Sequence, residues 1–338
     1  MTQLDPEQDD GVTAILVALR YMGLLGPGEE ARLTPLTGGV SSDIHLVETS
    51  DRRLCVKRAL ARLKVAAVWE VPTGRNAAEV AWMRQVAHWL PDGVPAILGE
   101  DEERGLFAMS FLPPECNPVW KALLLDQIVD VAFAVRVGAD LGLLHAASAR
   151  EAGLAERFAN DATFEAIRIE PYLIATARAH PDLVGRIEAI AARTLATKKA
   201  LIHGDVSPKN ILCGQKGPIF LDAECACFGD PAFDLAFCLN HLLLKGARRG
   251  VPRKAYRDAF EALVNAYFAR IDWEDRADLE ARTAALLPVL FLARVDGKSP
   301  VEYLTHEDER EAVRRFARPL IADPQQDLIA IANAWTRQ

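Results

Sequence analysis

The sequence predicts an α+β fold in two parts, a small N-terminal antiparallel sheet followed by a larger and mostly helical body. Three observations lead there. Strand-like runs crowd into roughly the first 112 residues, where apolar and polar side chains alternate over short stretches. A Leu112-Pro113-Pro114 step then interrupts the chain. Beyond it, apolar residues recur at helical spacing over long segments. The expected division therefore falls between residues 1–112 and 113–338.

Taken in order, residues 12–24 have the apolar spacing of a helix that stops near Gly23. Leu33–Leu36, Ile44–Glu48 and Leu54–Arg58 read as strands, the last two joined by the polar turn Ser50-Asp51-Arg52. Asn76 to Leu90 returns to helical spacing through Val80, Met83, Ala87 and Leu90, with Pro91-Asp92-Gly93 as its stop. Gly105–Phe111 is a further strand. Helices are expected near 126–147, 184–199, 231–245, 253–270, 277–294 and 308–317. Between the second and third of these, Ile211-Leu212 and Ile219-Phe220-Leu221 form two short strands around a Gly214–Gly217 turn.

Composition narrows the function classes. The chain has 338 residues, half of them hydrophobic and a quarter charged, which suits a globular protein with a large core. A net charge of −8 argues against a sequence-independent nucleic-acid binder, which needs a basic footprint. The plainest reading of that acidity is solubility. Residues 1–10 are polar and acidic, without the apolar core of a signal peptide, so a cytoplasmic location with reduced thiols is expected for the six cysteines. Cys225-x-Cys227 has no partner pair at ligand spacing and reads as small buried residues. The apolar run Ala284–Ala293, broken by Pro288, is too short for a bilayer and predicts a buried helix, with no membrane partner.

The chemistry concentrates in His203-Gly204-Asp205-Val206-Ser207-Pro208-Lys209-Asn210, followed by Ile219-Phe220-Leu221-Asp222-Ala223-Glu224. Ionised Asp205 only accepts hydrogen bonds, so it suits a residue that orients a hydroxyl and takes its proton. Asn210 offers a neutral amide oxygen to a hard cation and Asp222 a charged one. Glu224 reads three ways: a direct ligand of a second metal, a ligand through water, or the partner of a nearby lysine. Gly204 allows a tight turn just before Asp205.

These motifs resemble the aminoglycoside phosphotransferase and choline kinase superfamily, small-molecule kinases with a protein-kinase-like fold. Gly229-Asp230-Pro231-Ala232-Phe233-Asp234-Leu235-Ala236 is similar to the family's segment after the metal aspartate. Leu141-Gly142-Leu143-Leu144-His145 resembles the helix end behind its catalytic loop. Thr37-Gly38-Gly39-Val40-Ser41-Ser42 resembles its nucleotide loop, and Val56-Lys57 its phosphate-binding lysine. Order and spacing agree from about residue 35 to residue 240, and the last hundred residues carry no further motif.

The resemblance implies a nucleotide-binding first lobe, a catalytic second lobe, and ATP or GTP with Mg2+ as cofactors. Asp205 would be the base. Asn210, Asp222 and Glu224 are the candidate metal ligands, and Lys57 grips the phosphates, positioned by Glu79. Gly38, Gly39, Ser41 and Ser42 would cover the phosphates, and the adenine would dock near Met109 and Phe111. The acceptor would be the hydroxyl of a small molecule, and the protein a monomer or homodimer.

Each candidate has a plainer reading: a solvated strand lysine for Lys57, a surface glutamate for Glu79, and an ordinary turn for Gly38-Gly39. His203 reads as a brace for the loop. Asp234 is either a helix-start carboxylate or the holder of the loop's backbone, and the resemblance favours the second. Gly204 and Ser207 stand where protein kinases carry arginine and lysine, and Ala223-Glu224 where they carry Phe-Gly, which disfavours a peptide acceptor. A non-catalytic nucleotide-binding regulator is disfavoured by the intact set Lys57, Asp205, Asn210 and Asp222. Arg294 and Lys298 are candidates to meet an anionic acceptor, Asp230 and Glu302 a cationic one, each with an alternative as a surface or packing residue.

Overall fold

The computed structural model describes residues 6–36, 42–59 and 75–338. After helix α1 (Pro6–Tyr21) come strands β1 (Arg32–Pro35), β2 (Ser42–Glu48) and β3 (Arg53–Ala59), helix α2 (Arg75–Trp89), and strands β4 (Ile97–Asp101) and β5 (Leu106–Ser110). These strands make one antiparallel sheet in the order β1-β2-β3-β5-β4. The helical body follows with α3 (Trp120–Leu125), α4 (Val131–Arg150), α5 (Leu154–Arg157) and α6 (Asp161–Phe164). A π-helical stretch, Glu165–Ile174, leads into α7 (Ala175–Ala179) and α8 (Val184–Ala196). Two strand pairs carry the motif region: β6 (Ala200–Ile202) with β9 (Cys227–Gly229), and β7 (Ile211–Cys213) with β8 (Pro218–Phe220). Helices α9 (Pro231–Gly246), α10 (Arg253–Phe268), α11 (Arg276–Asp296), α12 (Glu307–Ala322) and α13 (Leu328–Thr336) complete the chain. The α+β architecture, antiparallel sheet first and helices after, is the one expected.

Strand periodicity explains what the sheet presents to each side. Leu54, Val56, Leu106 and Ala108 face α1 and form a small core with Ile15, Ala18 and Leu19. The alternate residues Cys55, Phe107 and Met109 point the other way, into the main core with Val80, Trp82 and Met83 of α2. Lys57 lies two residues beyond Cys55 and so shares its face. A lysine on the α2 side of a central strand is buried and aimed at that helix.

In the helical body, α4 and α10 cross closely because glycines remove the obstacle. A Cβ on Gly138 would sit 2.2 Å from the Leu263 carbonyl oxygen, and one on Gly142 2.8 Å from that of Tyr267. Helix α9 is buried along its whole length, apolar nearly all round, as the central helix of a bundle must be. Asp230 caps it by accepting from the Ala232 amide, and Pro231 occupies the first turn. Helix α11 buries Ala284–Ala293 as expected, and Cys55, Cys225, Cys227 and Cys238 are buried free thiols.

Several boundaries differ from the sequence expectation. The first helix begins at Pro6 rather than 12, and α4 begins at Val131 rather than 126 because Asp130 caps it through the Phe133 amide. Strand β4 was not expected, since Gly99 interrupts the alternation and accompanies a bulge opposite β5. Strands β6 and β9 span three residues each, too few for periodicity to register.

Candidate functional site

Asp234 holds the 203–210 loop in shape. Fully buried on α9, it accepts from the backbone amides of His203 at 2.7 Å and Gly204 at 2.8 Å. The loop between those amides and Asp205 needs a left-handed backbone, and Gly204 supplies it at φ +78°. A Cβ there would lie 3.0 Å from the Cys225 carbonyl oxygen. His203 acts as a brace, as expected: Nε2 donates to the Leu221 carbonyl at 2.9 Å, while Nδ1 accepts from the Asp205 amide at 3.1 Å. That tautomer is neutral, in keeping with burial lowering the His203 pKa. His145, from the glycine-bearing stretch of α4, backs Asp234 and bonds Tyr267 Oη through Nδ1 at 2.8 Å.

Asp205 is 2 % exposed. One carboxylate oxygen meets Arg168 at 2.8 Å and Lys209 at 3.1 Å, while the other, Oδ1, is buried without a hydrogen-bond partner. Burial pushes the carboxyl up, but Arg168 and then Lys209 outweigh it, and the net shift is downward. The group is therefore ionised at neutral pH, with one buried acceptor oxygen unpaired.

Arg168 is the residue that the sequence reading missed. It comes from the π-helical stretch, where Pro171 has no amide to donate and the ladder widens to accommodate it. Its Nε donates to the Gly204 carbonyl at 2.6 Å, so it grips both the backbone and the carboxylate of the loop. The available signal was a charged residue set between Ile167 and Ile169, two buried side chains.

Lys57 meets Glu79 of α2 at 2.6 Å and Asp222, just beyond β8, at 2.5 Å. Burial alone would lower the lysine's pKa, but Asp222, Glu79 and Glu224 together drive it upward. One ammonium shared between two carboxylates does not serve them equally. Glu79, the more buried, is pushed up to about 7 by burial against the pull of Lys57, while Lys57 draws Asp222 down despite its own burial. The chain leaves strand geometry at Asp222, which takes a left-handed φ of +66°, rare for a residue with a Cβ and concentrated at functional positions.

Asn210 spends its amide nitrogen on the Asp205 carbonyl at 3.1 Å, which leaves its oxygen for other work. That oxygen and the Asp222 carboxylate suit a hard divalent cation. Among the described residues no group of three His, Cys, Asp or Glu side chains could form an all-protein cage. A cation held here would take its remaining ligands from phosphate and water. Glu224 is bound by Arg75 at 2.8 Å, an arginine where the third reading had a lysine.

Of the nucleotide-loop candidates, Gly38, Gly39 and Ser41 lie outside the described residues. Ser42 opens β2, and its buried hydroxyl has no hydrogen-bond partner. Met109 is buried near the end of β5, and Phe111 follows with the Arg53 guanidinium 5.2 Å from its ring. Residues from four separate stretches, 57, 79, 205–210 and 222, thus converge, with Arg168 added.

The model of the family described as "Phosphotransferase enzyme family" matches residues 32–279. No curated sequence matches the chain. Among solved structures, the chain is similar to a choline/ethanolamine kinase family protein from Mesorhizobium loti, with TM-score 0.54 and 16 % identity, covering 98 % of this chain and 99 % of that one. It is similar to the choline kinase LicA from Streptococcus pneumoniae, with TM-score 0.53 and 15 % identity over 92 % and 99 %. An amicoumacin kinase in complex with AMP-PNP, Ca2+ and Ami gives TM-score 0.59 and 12 % identity over 98 % and 100 %. At such identities these structures speak for the shared fold. The family match spans most of the chain, and the chain belongs to the phosphotransferase enzyme family.

Proposed function

We propose that this protein transfers the γ-phosphate of ATP, with magnesium, to a hydroxyl of a small molecule. The observation that carries the reading is Asp205: buried, ionised, pinned on one oxygen by Arg168 and Lys209, and open on the other. An acceptor hydroxyl bonded to Oδ1 is oriented toward phosphorus and gives up its proton there. Holding the nucleophile in line is the larger part of catalysis in phosphoryl transfer.

Lys57 binds the nucleotide phosphates, and Glu79 keeps its ammonium in place. Asn210 and Asp222 would hold the magnesium, which would offset the charge of the phosphates. Glu224 braces Arg75 beside this centre. The 38–42 loop covers the phosphates, and the Met109–Phe111 segment receives the adenine. The related amicoumacin kinase, solved with AMP-PNP and calcium, supports nucleotide and divalent-cation use.

The test is acceptor-stimulated ADP release with Mg-ATP, wild type beside Asp205→Asn. Stimulation in the wild type alone supports the reading. Equal stimulation in both would remove Asp205 from its role.

A further inference from the structure

Beside Asp205 lies a narrow, largely enclosed pocket built from four parts of the helical body, with a volume of about 20 Å³ that admits one oxygen-sized group. Lys121 enters from α3, His241 and Lys245 from successive turns of α9, Arg294 from α11, and Tyr303 from the segment before α12. Lys209 closes the side toward the catalytic loop, its ammonium 3.1 Å from Asp205. The pocket therefore begins one side chain away from the carboxylate assigned to the acceptor hydroxyl.

Its charge is one-sided. Glu302 is the only carboxylate among the lining residues, and it is tied to Lys121 at 2.5 Å. Lys245 is 1 % exposed, with the Tyr303 ring 5.0 Å from its ammonium. Burial, reinforced by Lys121 and Arg294, lowers its pKa to about 7. Three more polar atoms there are buried without hydrogen-bond partners: His241 Nδ1, Arg294 Nε and Tyr303 Oη.

A folded protein rarely leaves so many buried polar groups unsatisfied in one place. The cost of an unpaired buried ammonium is especially high. An anion placed among them would accept from Lys245, Arg294 and Tyr303 together and turn that cost into binding. A cationic amine would face Lys121, Lys209, Lys245 and Arg294 with one already-paired carboxylate in its favour.

We propose that the phosphate acceptor is an alcohol bearing its own anionic group, a carboxylate or a phosphate, one oxygen of which this pocket receives while the hydroxyl reaches Asp205. This rests on the kinase reading of the site. Lys245 and Arg294 bind the anion directly. The transfer itself is unchanged: the acceptor oxygen bonds to the γ-phosphorus, the bond to the β-phosphate oxygen breaks, and the proton passes to Asp205.

The experiment has two arms with separate readouts. In the first, ADP release is measured against four pools: hydroxycarboxylates, phosphorylated alcohols, neutral sugars and amino alcohols. One anionic pool should stimulate, and which one does so identifies the group. Lys245→Met should then raise the acceptor KM by about 10- to 100-fold, with ATP affinity unchanged. In the second arm, thermal stabilisation by inorganic phosphate and by glycerate is measured on wild type and Lys245→Met, without turnover. Stabilisation of the wild type alone supports the anion site even if no pool stimulates, which separates its fate from that of the kinase reading. Preference for a neutral or cationic pool, stabilisation that survives Lys245→Met, or no stabilisation by either anion would overturn it. So would a loss of ATP affinity in Lys245→Met with unaltered acceptor kinetics, which would assign these cations to the nucleotide.

Discussion

Two neighbouring clusters of buried charge are handled in opposite ways. In the candidate site the buried charges are partnered: Lys57 with Glu79 and Asp222, Arg75 with Glu224, and Arg168 with Asp205, which the half-exposed Lys209 also meets. In the adjoining pocket Lys245, His241, Arg294 and Tyr303 keep buried polar groups without matching carboxylates. Paired charges fix geometry before substrate arrives, as a centre that works by positioning requires. Unpaired charges hold binding energy in reserve for a ligand and lower stability until it comes. Lys209 joins the two clusters, lining one and contacting the key carboxylate of the other.

The contrast can be broken first at its paired side. Asp205→Asn removes the acceptor oxygen's negative charge while keeping its shape, and should lower kcat by about 10²–10⁴-fold. Isothermal titration should show ATP still binding. Arg168→Met leaves Asp205 buried with Lys209 alone, and should cost about 3–5 kcal/mol in urea denaturation, since removing one member of a buried pair strands the other. The same change should move the acidic limb of the kcat/KM profile upward. Asp205 is depressed by Arg168, so without it the carboxylate protonates at higher pH.

The unpaired side should respond with the opposite sign. Lys245→Met removes a buried ammonium without a carboxylate partner, and should stabilise the protein by on the order of 1–4 kcal/mol. The pH dependence of that gain follows from linkage. The folded pKa of Lys245 is lowered to about 7, so the penalty is complete below that value and fades as pH rises toward the unfolded lysine value. Lys121, Lys209, Arg294 and His241 face the same space, with Glu302 and Cys238 as the acidic groups, and they remain in the variant. Melting curves should show the larger difference near pH 6 and little near pH 10. The smallest effect expected is from Gly204→Ala, which forces a Cβ into left-handed backbone against the Cys225 carbonyl, at a cost of about 1–2 kcal/mol. A kcat loss out of proportion to that cost would show how tightly the loop frame controls Asp205.

The paired cluster was largely legible in the sequence. Its loop residues are contiguous, Lys57 sits at a definite register of an alternating strand, and Glu79 lies on a helix where Val80, Met83, Ala87 and Leu90 recur at helical spacing. Arg168 was not legible, because Pro171 removes the helical ladder that would have placed it on a face, and no element was expected between 147 and 184. The pocket was read in part. Arg294 was a candidate for an anionic acceptor and lines it, but Lys298, its companion, pairs with Glu170 at the surface. Asp230 and Glu302, considered for a cationic acceptor, are held by Arg282 and Lys121. His241 and Lys245 passed unnoticed inside a helix buried along its whole length. Two titratable residues four apart in a helix buried on every side were the signal available.

The most direct test of the account is ADP release with Mg-ATP across a pool of small alcohols, wild type beside Asp205→Asn, with ATP binding measured on both. The account predicts acceptor-stimulated release in the wild type and its near-complete loss in a variant that still binds ATP. A wild type that does not bind ATP, or a variant stimulated as strongly as the wild type, would contradict it.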